Sequence, residues 1–409
     1  MTASLGLGRL RPAAGRERAG PRQPTALGIA LLGGAILAIT YGLARFVFGL
    51  FLPAIRDDLG LTATNAGFVG ALPFLSFIIG VLAGPPVSRT IGPRAAGGLA
   101  AGLAATGLSA IALAPGVLVL GAGVAICGVS TGLSSPAMAL AVNQAVRPSV
   151  RGRVNAVHNA GTSIGVALAM PAMVLLMGDW RPTYLGFALV AALGAVAALL
   201  FLPRHRDQEP ARAAPGPVGR ERWAAITRLG AMAGGMGLVS NVYWVFAPDL
   251  VVRQGGLTPG DSGWMWLAVG LAGLVGGTAG DLIDRLGPGR THALALALMS
   301  GALALAAATP DVLGLALLSA ATFGAAYMTL TGFHLVQGVR IMAEADRPTL
   351  GPVVPLLATT VGQASGSSLS GWMIDAGGYS LTFAAFAVVG LGLAGIARVW
   401  GSGPHPPPE

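Results

Sequence analysis

The chain has 409 residues, 54% of them hydrophobic and only 10% charged, with a mean hydropathy of +0.72. A soluble globular chain carries about 25% charged residues, so this one cannot cover a water-exposed surface, and its apolar content excludes disorder despite 63 glycines and 28 prolines. The net charge of +9 is built without lysine, entirely on 25 arginines, and their clustering between apolar runs argues against nucleic-acid binding.

A spanning helix needs about 20 mostly apolar residues. Taken in chain order, breaks at charges, Pro and Gly predict spans at 26–52, 66–87, 95–114, 116–142, 154–177 and 183–202. A second set follows at 225–252, 262–283, 291–309, 311–338, 349–374 and 380–400. Residues 1–25 form a basic tail with Arg9, Arg11, Arg16, Arg18 and Arg22. The apolar run behind that tail is too long for a signal-peptide core and reads as an uncleaved first span. Residues 203–224, rich in Pro, Ala and Arg, read as a flexible linker between two six-helix bundles, 26–202 and 225–400. Residues 401–409 form a short tail. The predicted fold class is an all-α membrane protein with twelve transmembrane helices.

Arginine sets the orientation. With both termini inside, the inner segments hold 21 arginines and the outer loops three, Arg56, Arg181 and Arg253, while Arg45 lies within a span. Both termini are therefore expected in the cytoplasm, with the chain multi-pass in a bacterial inner membrane. Trp180, Trp223, Trp264 and Trp400 fall near span ends, where an interfacial aromatic belt would place them. The single cysteine, Cys127, permits no intrachain disulfide and no cysteine metal site.

The halves repeat. At an offset of 196, Gly60-Leu61-Thr62 pairs with Gly256-Leu257-Thr258, Gly67 with Gly263 and Gly128 with Gly324. Near 200, Arg147-Pro148 meets Arg347-Pro348, and the Gly161–Gly165 spacing meets Gly362–Gly366. Parallel six-span repeats are one way that transporters build two bundles around a midplane site.

The loop after the eighth predicted span carries Gly280, Asp284, Arg285, Gly287 and Arg290. It resembles the cytoplasmic loop signature of the major facilitator superfamily, and the resemblance covers roughly residues 26–400. It implies two pseudo-symmetric bundles, transport by alternating access and a charge cluster that latches one conformation. In the equivalent loop of the first half, Arg89 and Thr90 stand where Asp284 and Arg285 stand in the second, so the acid is missing. The family's fourth-span arginine is replaced by the uncharged stretch 123–128. Two further stretches, Tyr41-Gly42-Leu43-Ala44-Arg45-Phe46 and residues 323–332, resemble the YbfB-like branch of that superfamily.

Charges at membrane depth are functional candidates by default. Arg45 lies seven residues before the end of the first predicted span, roughly 10 Å deep. Its repeat partner is Asn241, and the resemblance implies that both helices line a central cavity. Arg45 is thus a candidate for two-point binding of a carboxylate or phosphate, or for pinning helices through backbone carbonyls or Tyr41. Tyr41, Tyr243, Trp244 and Tyr327 are candidates for the walls of an amphipathic pocket, with Phe246 and Phe333 nearby. Asp249 reads as a solvated helix-end aspartate or as a partner for Arg45 during gate closure. His158 and His334, each about one turn inside the inner ends of their spans, read as helix-end histidines in contact with water or a loop carbonyl, or as a proton-sensing pair at a gate. Gln363, Ser365, Ser367, Ser368 and Ser370 offer hydrogen bonds to cargo, although small residues more often permit close helix contact. Gly161–Gly165 and Gly273–Gly277 read as close-contact motifs.

No lysine-containing phosphate loop and no zinc-protease histidine spacing occurs, so no catalytic residue, metal or cofactor is expected and ATP-driven transport within this chain is excluded. The sequence thus predicts a monomeric secondary carrier in contact with lipid, moving a small organic molecule with proton or gradient coupling. Drug or metabolite efflux and organic-anion uptake both remain open, as does a non-transporting membrane sensor on the same fold.

Overall fold

A computed structural model describes residues 25–176, 178–204, 218–343 and 350–400, with side chains to Arg398. The basic tail to residue 24, most of the linker, the Arg347-Pro348 match and residues 401–409 lie outside the described residues. Every regular element among the described residues is helical. Eleven rods follow in order: α1 (Ala26–Leu59), α2 (Ala63–Ala112), α3 (Val117–Ala145), α4 (Pro148–Leu175), α5 (Trp180–Phe201), α6 (Arg220–Arg253), α7 (Pro259–Leu286), α8 (Pro288–Ala308), α9 (Leu313–Met342), α10 (Leu350–Gly377) and α11 (Tyr379–Trp400).

Nine rods among the described residues are long and apolar enough to cross a membrane. The other two, α4 and α10, have the length, at 28 residues each, with more polar faces. At 50 residues, α2 is far longer than a bilayer needs, and it breaks at Gly92 (φ 79°, ψ 165°) into two limbs. Gly287 has the same backbone (φ 80°, ψ 157°) and breaks α7 from α8 in the matching loop of the second half. A side chain would strain both positions, which is why glycine punctuates both turns.

The repeat is written in backbone conformation as well as in sequence. Gly60 caps the end of α1 and Gly256 follows α6 in the loop beyond its Gln254 cap (φ 63° and 70°), and Gly178 and Gly378 (φ 76° and 83°) precede α5 and α11. Thr62 and Thr258 cap the next helices, accepting from the N–H groups of Asn65 and Asp261. These caps satisfy backbone donors that the first helical turn leaves without partners.

Glycines let helices meet where lipid gives no hydrophobic drive for association. On α4, Gly161 faces the Gly34 backbone of α1, and Gly165 faces Ala38. On α10, Gly362 and Gly366 face Gly234 and Leu238 of α6 in the same way. The Gly273–Gly277 expectation holds only in part. Gly273 packs near Ser163, but a side chain on Gly277 would meet open space, because residues Leu274–Thr278 tighten into a 3-10 turn that swings it outward.

Several helices outrun their apolar stretches, since the backbone bonding continues into water. Thus α1 reaches Leu59 instead of stopping near Leu52, because Pro53 is accommodated inside the helix. Arg45 therefore sits near the middle of the rod, deeper than its distance from Leu52 suggested. Trp223 and Trp264 are exposed as an interfacial belt requires, but Trp180 is buried against Tyr184 and Arg181. Successive rods alternate in direction when the two limbs of α2 are counted separately. Gly92, Gly287, Ala26 and Trp400 mark one face, hereafter the near face, and Arg56, Arg181 and Arg253 mark the far face.

Candidate functional site

Residues Ala38–Phe46 of α1 form a π-helical segment, a wider coil that recurs at functional sites. Neighbours bond carbonyls of this segment: the Thr131 hydroxyl of α3 donates to Thr40 O (2.7 Å) and the Trp266 indole of α7 to Phe46 O (3.3 Å). Arg45 lies at the end of this segment with 5% of its surface exposed. Its Nη2 donates to Gln363 Oε1 of α10 (3.2 Å), and Gln363 Nε2 donates to the Tyr327 hydroxyl of α9 (3.0 Å). Arg45 Nε is buried without a hydrogen-bond partner.

Aromatic rings surround the cation. The guanidinium carbon stands 4.2 Å from the Phe77 ring centre, 4.7 Å from Phe74, 5.4 Å from Phe46 and 5.8 Å from Tyr41. Such contacts attract a cation through the ring quadrupole, by about 2 kcal/mol where water is excluded. Among the described residues no carboxylate pairs with Arg45. Trp244 of α6 packs on Phe46 (4.4 Å) and edge-on to Tyr327 (5.1 Å), and its indole nitrogen is buried without a partner.

Arg45, Tyr41, Trp244 and Tyr327 thus meet in one cluster drawn from both halves. Tyr41 is partly exposed, one turn nearer the near face, and its hydroxyl shares a 2.8 Å bond with Ser135. Among the described residues the hydrogen-bond partner of Arg45 is the Gln363 amide and not a helix-pinning backbone carbonyl. Tyr243 belongs to a different layer, stacked on Phe323 (4.0 Å) and bonded to Ser319. Asn241 is fully buried with both amide atoms unpartnered. It lies one turn beyond Gly237, which packs directly against the α10 backbone at Gln363.

The residue that the sequence under-weighted is Gln363. Its spacing with serines suggested a small-residue contact stripe, and Ser367 indeed bonds Gly67 O across the halves. Gln363 instead bridges Arg45 and Tyr327. The available signal was a long amide in the middle of a helix of mostly small residues.

Asp249 is neither solvated nor a partner of Arg45. It is fully buried and accepts from Arg56 Nη1, from Arg253 Nε (2.7 Å) and from the Tyr379 hydroxyl (2.5 Å). Arg253 also pairs with Asp57 (2.6 Å), and Asp375 of α10 caps the N-terminus of α2 through Ala63 and Thr64 N–H (3.1 and 2.8 Å). The far-face arginines Arg56 and Arg253 therefore join the first half to the second, while Arg181 braces Asp58 within the first. The misreading has a simple cause. Depth counted along one helix says nothing of Arg56 and Tyr379, which other helices bring to it.

His158 and His334 sit in separate surroundings and do not form a pair. His158 shares a 3.1 Å bond with Ile29 O and fills the notch at Gly33. His334 packs against His292 (ring centres 5.3 Å), a residue not singled out from sequence. All ring nitrogens of His292 and His334 are buried without partners. In the near-face loop, Gly280, Asp284, Arg285, Gly287 and Arg290 surround the Gly287 turn, and Asp284 pairs with Arg340 (2.8 Å) of the same half. That ion pair braces the second half internally and does not latch the two halves together.

A family model described as Major Facilitator Superfamily matches residues 34–339. The human protein "Solute carrier family 2, facilitated glucose transporter member 10" is 28% identical over 221 residues, half of this chain. The chain spans about two fifths of the length of that relative, as the match covers 40% of it. Among solved structures, a POT family transporter in complex with 5-aminolevulinic acid superimposes with a TM-score of 0.76 at 14% identity, over 92% of this chain and 96% of that one. An inward-facing, occupied bacterial homologue of the human lysosomal transporter Spinster gives 0.73 at 15%, over 93% and 98%. The xylose transporter XylE from E. coli, partially occluded and inward open, gives 0.72 at 16%, over 93% and 98%. These structures share the fold, and the family match covers well over half of the chain. With its helices, its paired turns and this match, the chain belongs to the Major Facilitator Superfamily, a family of membrane transporters and not of enzymes.

Proposed function

We propose that the chain is a monomeric secondary active transporter of a bacterial cytoplasmic membrane, in the YbfB-like branch of its superfamily. In this reading twelve spans, with α2 counted as two, form bundles at 26–202 and 225–400. Both termini lie in the cytoplasm, and a small organic molecule moves by alternating access with proton or gradient coupling. The near face is then cytoplasmic.

One observation carries the reading. The far face is clamped by ion pairs between the halves, through Asp249 with Arg56 and Asp57 with Arg253. Beneath this clamp lies a cluster centred on Arg45 and Gln363, one residue from each half. A site shared by two halves, closed on one side, becomes accessible from the other side when the halves rock.

Two cysteine reporters test it, each in a Cys127→Ala background: Ser367→Cys beneath the clamp and Ser135→Cys beside Tyr41. Adding Asp249→Asn is expected to speed labelling of Ser367→Cys by an impermeant maleimide applied to the far face. The same change is expected to slow labelling of Ser135→Cys from the near face. Labelling that does not change reciprocally would instead describe a static membrane sensor.

A further inference from the structure

The substrate class follows from the charge balance of the same cluster, and this inference rests on the carrier reading above. We propose that the Arg45 site binds a singly charged organic anion, a carboxylate borne on a flat apolar body.

The first ground is the missing countercharge. Arg45 is almost fully buried, and among the described residues no carboxylate pairs with it. The buried acid of the far face, Asp249, is already committed to Arg56, Arg253 and Tyr379. A buried ion without a partner costs several kcal/mol, and a ligand carboxylate removes that cost in the bound state.

The second ground is the shape of the donor set. Nε and Nη2 of a guanidinium form one edge of its planar fork, the edge that a carboxylate accepts with its two oxygens. In Arg45 the single carbonyl of Gln363 reaches Nη2 (3.2 Å) and leaves Nε unmet. A neutral amide half-fills a position that a carboxylate fills completely. Anion entry displaces the Gln363 carbonyl, which belongs to the other half, so binding is felt directly at the boundary between the halves.

The remaining grounds are valence and walls. One cation balances one negative charge, whereas a phosphate monoester dianion leaves a net charge in a medium of low dielectric. The walls are the rings of Phe46, Phe74, Phe77 and Trp244, which suit a flat apolar body. The unpartnered indole N–H of Trp244 offers one donor to a polar substituent on that body.

The test uses the purified full chain and titrates benzoate, phenylacetate and indole-3-acetate, each beside its carboxamide, with phenyl phosphate as the dianion. Binding is read by tryptophan fluorescence and by thermal shift. At least one acid is expected to bind, its amide and the phosphate at least about tenfold more weakly, the worth of a charge-assisted hydrogen bond. Arg45→Gln is expected to erase the preference for acid over amide. Gln363→Met, which leaves the charge in place, is expected to tighten acid binding. An amide or phosphate bound as tightly as the acid, or no binding of any acid, overturns the inference. Counterflow of the bound acid in proteoliposomes separates the two readings. An acid that binds and never exchanges removes the carrier and leaves the anion site standing. An amide that exchanges where the acids do not keeps the carrier and removes the anion site.

Discussion

Asp57 and Arg253 stand 196 residues apart, at equivalent positions of the two halves, and their side chains pair at 2.6 Å across the far face. Equivalent residues of a parallel repeat meet only beside the axis that relates the halves, so this pair marks where that axis leaves the far face. Just inside it lies Asp249, which takes Arg56 from the first half and Arg253 from its own helix.

The two acids differ in burial, and that sets their worth. The Asp57 side chain is 72% exposed and that of Asp249 is fully buried. Asp57→Asn is expected to cost under about 1 kcal/mol, as exposed pairs do. Asp249→Asn leaves two arginines facing each other without an acceptor of equal charge, and is expected to cost about 3–5 kcal/mol. Melting temperatures in one detergent compare them; equal shifts would mean that burial does not set the strength of the clamp.

Gly92 and Gly287 carry matching left-handed backbones at matching turns. Gly92→Ala and Gly287→Ala are each expected to destabilise the chain by about 1–3 kcal/mol, because a positive φ with an extended ψ is open essentially to glycine alone. Gly301→Ala is the control, since Gly301 is helical and its Cβ would meet open space. It is expected to leave the melting temperature unchanged or raise it.

Helix contact is tested by bulk. A side chain on Gly165 would run into the backbone of Ala38, whereas one on Gly277 meets nothing within 4 Å. Gly165→Leu is expected to abolish or severely reduce folded yield, well beyond the about 1–3 kcal/mol of ordinary overpacking. Gly277→Leu is expected to express at the level of the parent, judged by size-exclusion profiles.

Gln363→Glu places a carboxylate where the Gln363 carbonyl now touches Arg45. The chain then supplies its own countercharge. The variant is expected to melt several degrees higher and to lose acid binding at least about tenfold, because the edge of the fork is occupied. Unchanged acid binding, measured by the same fluorescence titration, would place the ligand elsewhere.

Much of the fold was legible because bilayer physics writes it into composition. Runs of apolar residues and the paired Gly60/Gly256 and Thr62/Thr258 signals follow from local rules of hydration, turn geometry and capping, and each reappears in the structure. Arg45 was legible too, since a charge inside an apolar run needs a reason. Its setting was not. Its four rings come from two helices and its amide from a third, 318 residues away.

The same division explains the misplaced residues. Asp249 looked solvated because its neighbours in sequence end a helix, yet Arg56 and Tyr379 close over it from other helices. His334 found His292 and not His158, because the partner of a side chain depends on helix rotation, which periodicity alone leaves undetermined. By itself, the sequence determined that this chain spans a membrane, repeats itself and carries one cation deep in its first helix. Only the tertiary structure decided which groups face that cation and which acids lock the far side, because partners are chosen by rotation and crossing of packed helices, and these depend on every contact at once.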